Sequence, residues 1–300
     1  MKLSVVIPTC DRPAQLRECL RRVMRQQGAE YEVIVTDDGR LSAPPDAMEG
    51  ARWVQGPRRG PAANRNSGAR HATGEWLVFL DDDCLPEEGW LAAYSAAAAP
   101  GVEVMEGRTE CPDGDSWALR EIVENLNGGA FWSCNLAVRR DRFEEMGGFD
   151  EDFTQPCAED MELAWRMRQR NLRCVFVHDA RVTHPPRRVG PRRLLRRMAA
   201  HRWVLLYRLK TGIAPGLECN RAWAALELAA REWLDTLRML SHLRRPGERR
   251  LKGRTLEALW RCAMLPAFLP YYLCWDARYR CMLAARARGE ESLERTDAGP

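Results

Sequence analysis

The chain has 300 residues, 45% hydrophobic and 29% charged, with a formal net charge of +4. That length and core content suit one large domain or a domain with an appendage, and the nearly balanced charge excludes a disordered chain. Eleven scattered cysteines without a CxxC pair argue against a structural zinc site and for free thiols in a reducing cytosol rather than a disulfide framework.

The N-terminal MKLSVVIPTCDRP holds too short an apolar run for a secretory signal, and the expected location is cytoplasmic. Leu3 to Pro8 reads as a buried strand. A helix follows from Pro13, with Leu16, Cys19, Leu20, Val23, Met24 and Gln27 at helical spacing. Tyr31 to Thr36 reads as a second strand ending at Asp37-Asp38-Gly39, and Arg52 to Gln55 as a short third. Asn64 to Thr73 reads as a helix closed by Gly74, and Trp76 to Leu80 as a strand ending at Asp81-Asp82-Asp83. Alternation of β-rich runs and helical patterns indicates an α/β fold with helices covering a largely parallel sheet. In such a sheet ligands bind outside the carboxyl ends of the strands, and Thr9 to Arg12, Asp37 to Gly39 and Asp81 to Asp83 all fall there.

From about Gly101 the pattern becomes α+β. A helix is expected around Trp117 to Asn125, a strand over Phe131 to Arg139, and a strong helix over Ala158 to Arg170. Short strands follow at Val175 to Val177 and Ala180 to Thr183, ending at His184-Pro185-Pro186. The expected organisation is a catalytic domain over 1–186, with halves 1–100 and 101–186, and a helical, basic region over 187–300.

Each chemical cluster has a bland and a functional reading. Three adjacent carboxylates at a strand end repel one another unless a cation compensates, and Mg²⁺ or Mn²⁺ takes such oxygen ligands together with substrate phosphates; a solvated acidic turn is the alternative. Asp37-Asp38-Gly39 fits a nucleobase contact or an ordinary turn. Glu159-Asp160 fits a general base or acidic residues favoured by a helix dipole. His184 fits a metal ligand or a structural histidine. Arg65 fits a diphosphate contact or a solvated arginine.

Order and spacing add what no cluster supplies alone. VVIPTCDRP (5 to 13), VIVTDDG (33 to 39), NRNSGARHATGEWLVFLDDDC (64 to 84), NLAVRRDRFEEMGGFDE (135 to 151), AEDMELAWRMR (158 to 168) and VTHPP (182 to 186) together resemble the family 2 glycosyltransferases. The resemblance covers roughly the first 190 residues. It implies a GT-A type nucleotide-diphospho-sugar transferase fold, with a mixed central sheet flanked by helices. It also implies an inverting, metal-dependent enzyme that moves a sugar from a nucleotide-diphosphate donor to an acceptor hydroxyl. Carried over by position, Pro8, Thr9, Arg12, Asp38 and Asp81 belong to the nucleotide-sugar site, where Arg65, read as a diphosphate contact, and Asp82 are also placed. Asp83 and His184 belong to the metal, Asp160 to the general base with Glu159 beside it, and Trp132 and Asn135 to the acceptor. Arg40-Leu41 replaces the family's usual serine or threonine after the VDDG-like turn.

Between Pro185 and Lys210 lie eight arginines, one lysine and no acidic residue. Two readings stay open: a basic amphipathic helix resting on an anionic membrane, which would put the protein at its inner face, or a helix packed on the catalytic domain. The longest uncharged run, Cys262 to Trp275, is too short to span a bilayer. No aromatic stacking platform or nucleic-acid motif accompanies the basic residues. Competing functions are a nucleotidyltransferase, whose glycine-rich loop is replaced here by PTCDRP, and an inactive nucleotide-sugar-binding protein.

Overall fold

A computed structural model describes residues 1–40, 50–112, 120–121, 123–188, 202–211, 230, 233–234 and 270–284. The chain divides into two compact units, Met1–Val189 and Gly190–Pro300.

The first unit is built on an eight-stranded mixed sheet. Its strands are β1 (Lys2–Thr9), β2 (Glu30–Asp37), β3 (Ala51–Gln55), β4 (Trp76–Leu80), β5 (Leu85–Pro86), β6 (Val104–Glu110), β8 (Asn135–Arg139) and β9 (Cys174–Thr183), in the order β3-β2-β1-β4-β8-β6-β9-β5. A separate antiparallel ribbon pairs β7 (Arg120–Glu121) with β10 (Arg187–Arg188). Strands β3, β2, β1 and β4 run parallel, β8 runs against β4 and β6, and β9 is parallel to β6. The carboxyl ends of β1, β2, β4, β6 and β9 therefore share one edge with the amino end of β8. The sheet thus delivers Thr9, Asp37, Asp81, Ser133 and His184 to one side.

Alternation along the strands sorts residues into two layers. Trp76, Val78 and Leu80 face the layer with Leu16, Cys19, Leu20 and Val23 of α1 (Pro13–Val23) and Trp90, Leu91 and Tyr94 of α3 (Trp90–Ala97). Leu77 and Phe79 face the other, with Phe143 of α4 (Arg140–Glu145) and Leu163, Ala164 and Met167 of α5 (Glu159–Gln169). Each fully buried Leu, Ile, Val or Phe contributes about 1.5–3 kcal/mol, whereas an exposed pair such as Arg21–Glu18 is screened by water and contributes little. The sheet and its two layers, not surface charge, hold the unit together. Helix α2 (Pro61–Arg70) lies so close to the sheet that a Cβ on Gly68 would stand 2.4 Å from Val6 Cγ1.

Several expectations need correction. The helix over Trp117 to Asn125 is not present where the chain is described: Arg120–Glu121 form a strand and Asn125 bridges to Thr109, while 113–119 and 122 lie outside the described residues. The strand begins at Asn135 rather than Phe131, because Phe131 adopts a left-handed φ of 54°. The two short strands before His184 are one, β9, whose pairing with β6 slips at Gly107/Arg108. Helix α2 starts three residues earlier, with Pro61 in its first turn. Helices α3 and α4 and strand β6 carry too little periodicity in sequence to be anticipated.

In the second unit, helix α6 (Arg202–Thr211) buries Trp203, Leu205, Leu206 and Tyr207. Residues 270–284 are helical, with Trp275 under the Arg202 guanidinium at 4.0 Å and against Tyr279 at 5.2 Å. The expected basic amphipathic helix lies outside the described residues over 189–201, as does most of the Cys262 to Trp275 run. Among the described residues no helix is long and apolar enough to cross a membrane.

Candidate active site

At the carboxyl end of β1, the Thr9 hydroxyl donates to Asp82 Oδ2 at 2.6 Å, and Arg12 pairs with Asp82 Oδ1 at 3.1 Å and Asp83 Oδ2 at 3.3 Å. Asp82 is fully buried; burial pushes its carboxyl up to about 7, Asp83 and Asp81 add to the rise, and Arg12 and Thr9 oppose it. Thr9 and Asp82 thus hold each other and clasp β1 to the turn after β4. Pro8 is buried within β1, opposite Thr36.

The neighbouring turn is also tightly tied. Asp38 accepts from the backbone N–H of Arg58 at 2.8 Å and of Gly60 at 3.0 Å, and Asp37 accepts from Gly39 N–H at 2.7 Å. Burial raises both carboxyls. Asn64 in α2 donates to the carbonyls of Thr9 and Thr36, at 3.1 and 3.0 Å, and so fixes the spacing of two strand ends. Asp38 therefore shapes the loop over 56–60 at this edge of the sheet.

Arg65, expected at a diphosphate, is buried between carboxylates from both halves of the unit. Its guanidinium donates to Asp81 Oδ1 at 2.7 Å and to Glu159 Oε1 at 3.2 Å, over the Phe149 ring at 5.5 Å. One cation cannot fully compensate Asp81, Glu159 and Asp160 together. Burial opposes ionisation of Asp81, but Arg65, helped by Arg187 and His184, outweighs it and holds Asp81 low. Glu159, desolvated and beside Asp160, is pushed up to about 8 despite Arg65.

Asp160 stands in the first turn of α5. Its Oδ2 accepts from Ser133 N–H at 3.2 Å, while Oδ1 is buried and accepts no hydrogen bond. Burial raises its carboxyl; Arg65 and Ser133 pull it back, and Asp81 adds to the rise. A buried acceptor without a donor costs about 1–3 kcal/mol and marks a place where structure is not the only constraint.

Asp83 Oδ2 is held by Arg187, whose Nε lies at 2.5 Å, while Oδ1 is buried without a hydrogen bond and 3.8 Å from His184 Nε2. Asp83, Cys84 and His184 bring ligand atoms within 4.8 Å of one another. An orphaned carboxylate oxygen facing an imidazole fits a divalent cation. Burial and Cys134 keep the Cys84 thiol protonated, so Asp83 and His184 are the better ligands for a hard ion.

The acceptor expectations separate. Trp132 is half-buried, and its indole N–H donates to Glu124 O at 3.3 Å. Asn135 is buried: its Oδ1 accepts from Trp90 and Tyr94, and its Nδ2 donates to the carbonyls of Arg108 and Ala180. All four of its hydrogen-bonding positions are used, so it staples α3 to the sheet and has nothing free for an acceptor. Sequence reasoning missed Arg187 and Ser133. Arg187 directly follows His184-Pro185-Pro186 and could have been suspected from that, whereas Ser133 contributes a backbone amide that no side-chain pattern signals.

The model for Glycosyl transferase family 2 matches residues 4–141. Glycosyltransferase AglE of Haloferax volcanii is 28% identical over 211 residues, covering 63% of this chain and 68% of that protein. Pre-mycofactocin glycosyltransferase of Mycobacterium tuberculosis is 31% identical over 212 residues, covering 62% of this chain, which spans less than half of that relative, 43%. Among solved structures, mannosyltransferase PcManGT from Pyrobaculum calidifontis, in complex with GDP-Man and Mn²⁺, superposes with a TM-score of 0.54. It does so at 21% identity, over 96% of this chain and 88% of that one, which places the fold among GT-A glycosyltransferases.

Proposed function

We propose that the chain, whose residues 4–141 match the glycosyl transferase family 2 model, is a member of that family and transfers a sugar, with inversion, from a nucleotide-diphosphate donor to an acceptor hydroxyl. Asp160 is the general base, and Mg²⁺ or Mn²⁺ is held by Asp83 and His184. The observation that carries this reading is the Asp160 carboxylate. It stands at the shared sheet edge with one oxygen unbonded, and Arg65 links its neighbour Glu159 to Asp81.

Asp160 accepts the hydroxyl proton as the acceptor oxygen attacks the anomeric carbon. The bond from that carbon to the diphosphate breaks on the opposite face, and the leaving group takes the electron pair. Burial suits the base because a raised carboxyl holds a proton more readily near neutrality. A double displacement would need a second carboxylate as nucleophile, by analogy with glycoside hydrolysis. Glu159 and Asp81 are both engaged by Arg65, which favours the single displacement. Arg12 and Arg187, already at Asp83, supply positive charge where the diphosphate departs. When bound, the divalent ion supplies Lewis-acid stabilisation of that leaving group. Asp38 and the turn it anchors border the nucleobase, Asp81 the ribose, and Trp132 the acceptor. The superposable mannosyltransferase holds GDP-Man and Mn²⁺, which makes GDP-mannose and Mn²⁺ the first pair to try.

The test is a screen of GDP- and UDP-sugars with Mn²⁺, reading nucleoside diphosphate release, with Asp160→Asn and Asp83→Ala as controls. Both variants are expected to lose turnover, Asp83→Ala together with its response to added Mn²⁺. Full turnover by Asp160→Asn would remove it as the base.

A further inference from the structure

Glu106 is an acidic residue in the middle of β6, flanked by β8 and β9, and only 3% exposed. A buried carboxylate is costly unless donors surround it, and among the described residues no arginine or lysine pairs with it. Neutral donors do the work. Gly129 N–H reaches Oε1 at 2.9 Å, Phe131 N–H reaches Oε2 at 2.7 Å, Asn125 Nδ2 reaches Oε2 at 3.2 Å, and the Cys174 thiol reaches Oε1 at 3.6 Å. Three of the four come from the loop over 125–131. Asn125 extends the grip: its Oδ1 accepts from Gly128 N–H at 2.9 Å, and its backbone exchanges hydrogen bonds with Thr109.

That grip maintains an unfavourable backbone. Phe131 has a φ of 54°, a left-handed conformation that is strained for a bulky residue. It persists because its amide is bound by Glu106 and its ring lies beneath the Arg168 guanidinium at 4.6 Å. Two residues further on, Ser133 presents the N–H that Asp160 Oδ2 accepts.

We propose that Glu106 is a positioning residue for sugar transfer: by holding the loop over 125–131 on β6, it sets the Ser133 amide against Asp160. The inference rests on the reading of Asp160 as general base. Glu106 touches no substrate; it acts through Phe131 and Ser133. Among the described residues the groups facing Asp160 are Arg65 from α2, Asp81 from the end of β4, the neighbouring Glu159, and Ser133 through both its amide and its hydroxyl, and of these the loop leads into Ser133.

The experiment measures nucleoside diphosphate release from the donor identified in the screen, with Mn²⁺ and water as acceptor, for Glu106→Gln, Asn125→Ala, Asp160→Asn and the Glu106→Gln/Asp160→Asn double variant. Binding of GDP or UDP reports that each variant is folded at the donor side. Glu106→Gln should lower kcat about ten-fold while donor KM stays within about two-fold, since misplacing a catalytic group affects reaction rather than binding. Asn125→Ala, which removes one donor and one loop contact, should show the same split at about three-fold. The double variant should be no slower than Asp160→Asn alone, because residues acting through one group are not additive. A kcat within two-fold of the parent, an equal loss of nucleotide binding, or multiplying effects in the double variant would each overturn the proposal while leaving Asp160 in place as base. Full turnover by Asp160→Asn would sink both.

Discussion

The parallel strands β3, β2, β1 and β4 and the mixed strands β8, β6 and β9 bring carboxylates to one edge but treat them differently. On the parallel side Asp82 has Thr9 and Arg12, Asp38 has two backbone amides, and Asp81 has Arg65. On the other side Asp160 has Ser133 and an oxygen left open. The first side ties its carboxylates to neighbouring donors and leaves Asp83 Oδ1 facing His184, where a cation would offset the charge of a diphosphate. Burial raises Asp82, Asp37 and Asp38 there as it raises Asp160, so the sides differ in what holds the carboxylates rather than in proton affinity. Arg65 spans the two, and its single charge is spent mainly on Asp81 at 2.7 Å, so Glu159 and Asp160 rise.

Four outcomes would sharpen or break that contrast. Asp160→Asn should slow turnover by about two to four orders of magnitude with nucleotide binding intact; equal losses in both would erase the distinction between the sides. Arg65→Met leaves the partly buried Asp81 carboxylate without its cation and the buried Glu159 without a donor, and should cost about 3 kcal/mol in denaturant unfolding. A variant as stable as the parent would show that the halves are not joined there. Asn135→Ala strands the Trp90 donor, leaves the Tyr94 hydroxyl only the carbonyl of residue 135 at 3.1 Å, and should lower stability by about 1–3 kcal/mol with donor KM unchanged; a change confined to acceptor KM would return Asn135 to the acceptor site. The smallest effect is in pH. Burial and Asp160 push Glu159 up to about 8 from an ordinary 4.5, so the folded state keeps a proton that the unfolded chain releases. That contribution is complete below about pH 4.5 and is lost as pH rises through about 8. Melting temperatures across this range should decline less in Glu159→Gln; identical slopes would mean that Glu159 ionises normally.

The parallel half was legible because its strands are buried on both faces and read as continuous apolar runs, LSVVIP and WLVFL among them, each punctuated by acid at the end where ligands bind. The mixed half was not. Strand β6 carries Glu106, Gly107 and Arg108 in its middle, which reads as turn rather than sheet, and the polar interruption at His178-Asp179 made β9 look like two strands. Asp81, Asp83, Asp160 and His184 stand out in the sequence as candidates by side-chain type at strand and helix ends. The inward roles of Arg65 and Asn135 were hidden because sequence cannot tell a polar side chain that faces a ligand from one that satisfies the interior. The Ser133 amide is invisible in principle, since every residue but proline has one.

The strand order also determines when these polar pairs can form during folding. Thr9 meets Asp82 across 73 positions, Arg65 meets Glu159 across 94, and Arg187 meets Asp83 across 104. Closing such long loops is entropically expensive before any contact repays it, so these polar pairs cannot nucleate the domain. They form after the apolar strands have registered. A chain emerging from the ribosome has its β1–β2–β4 scaffold roughly a hundred residues before Arg187 and His184 arrive beside Asp83, so a truncated product would be able to collapse without acquiring that cluster.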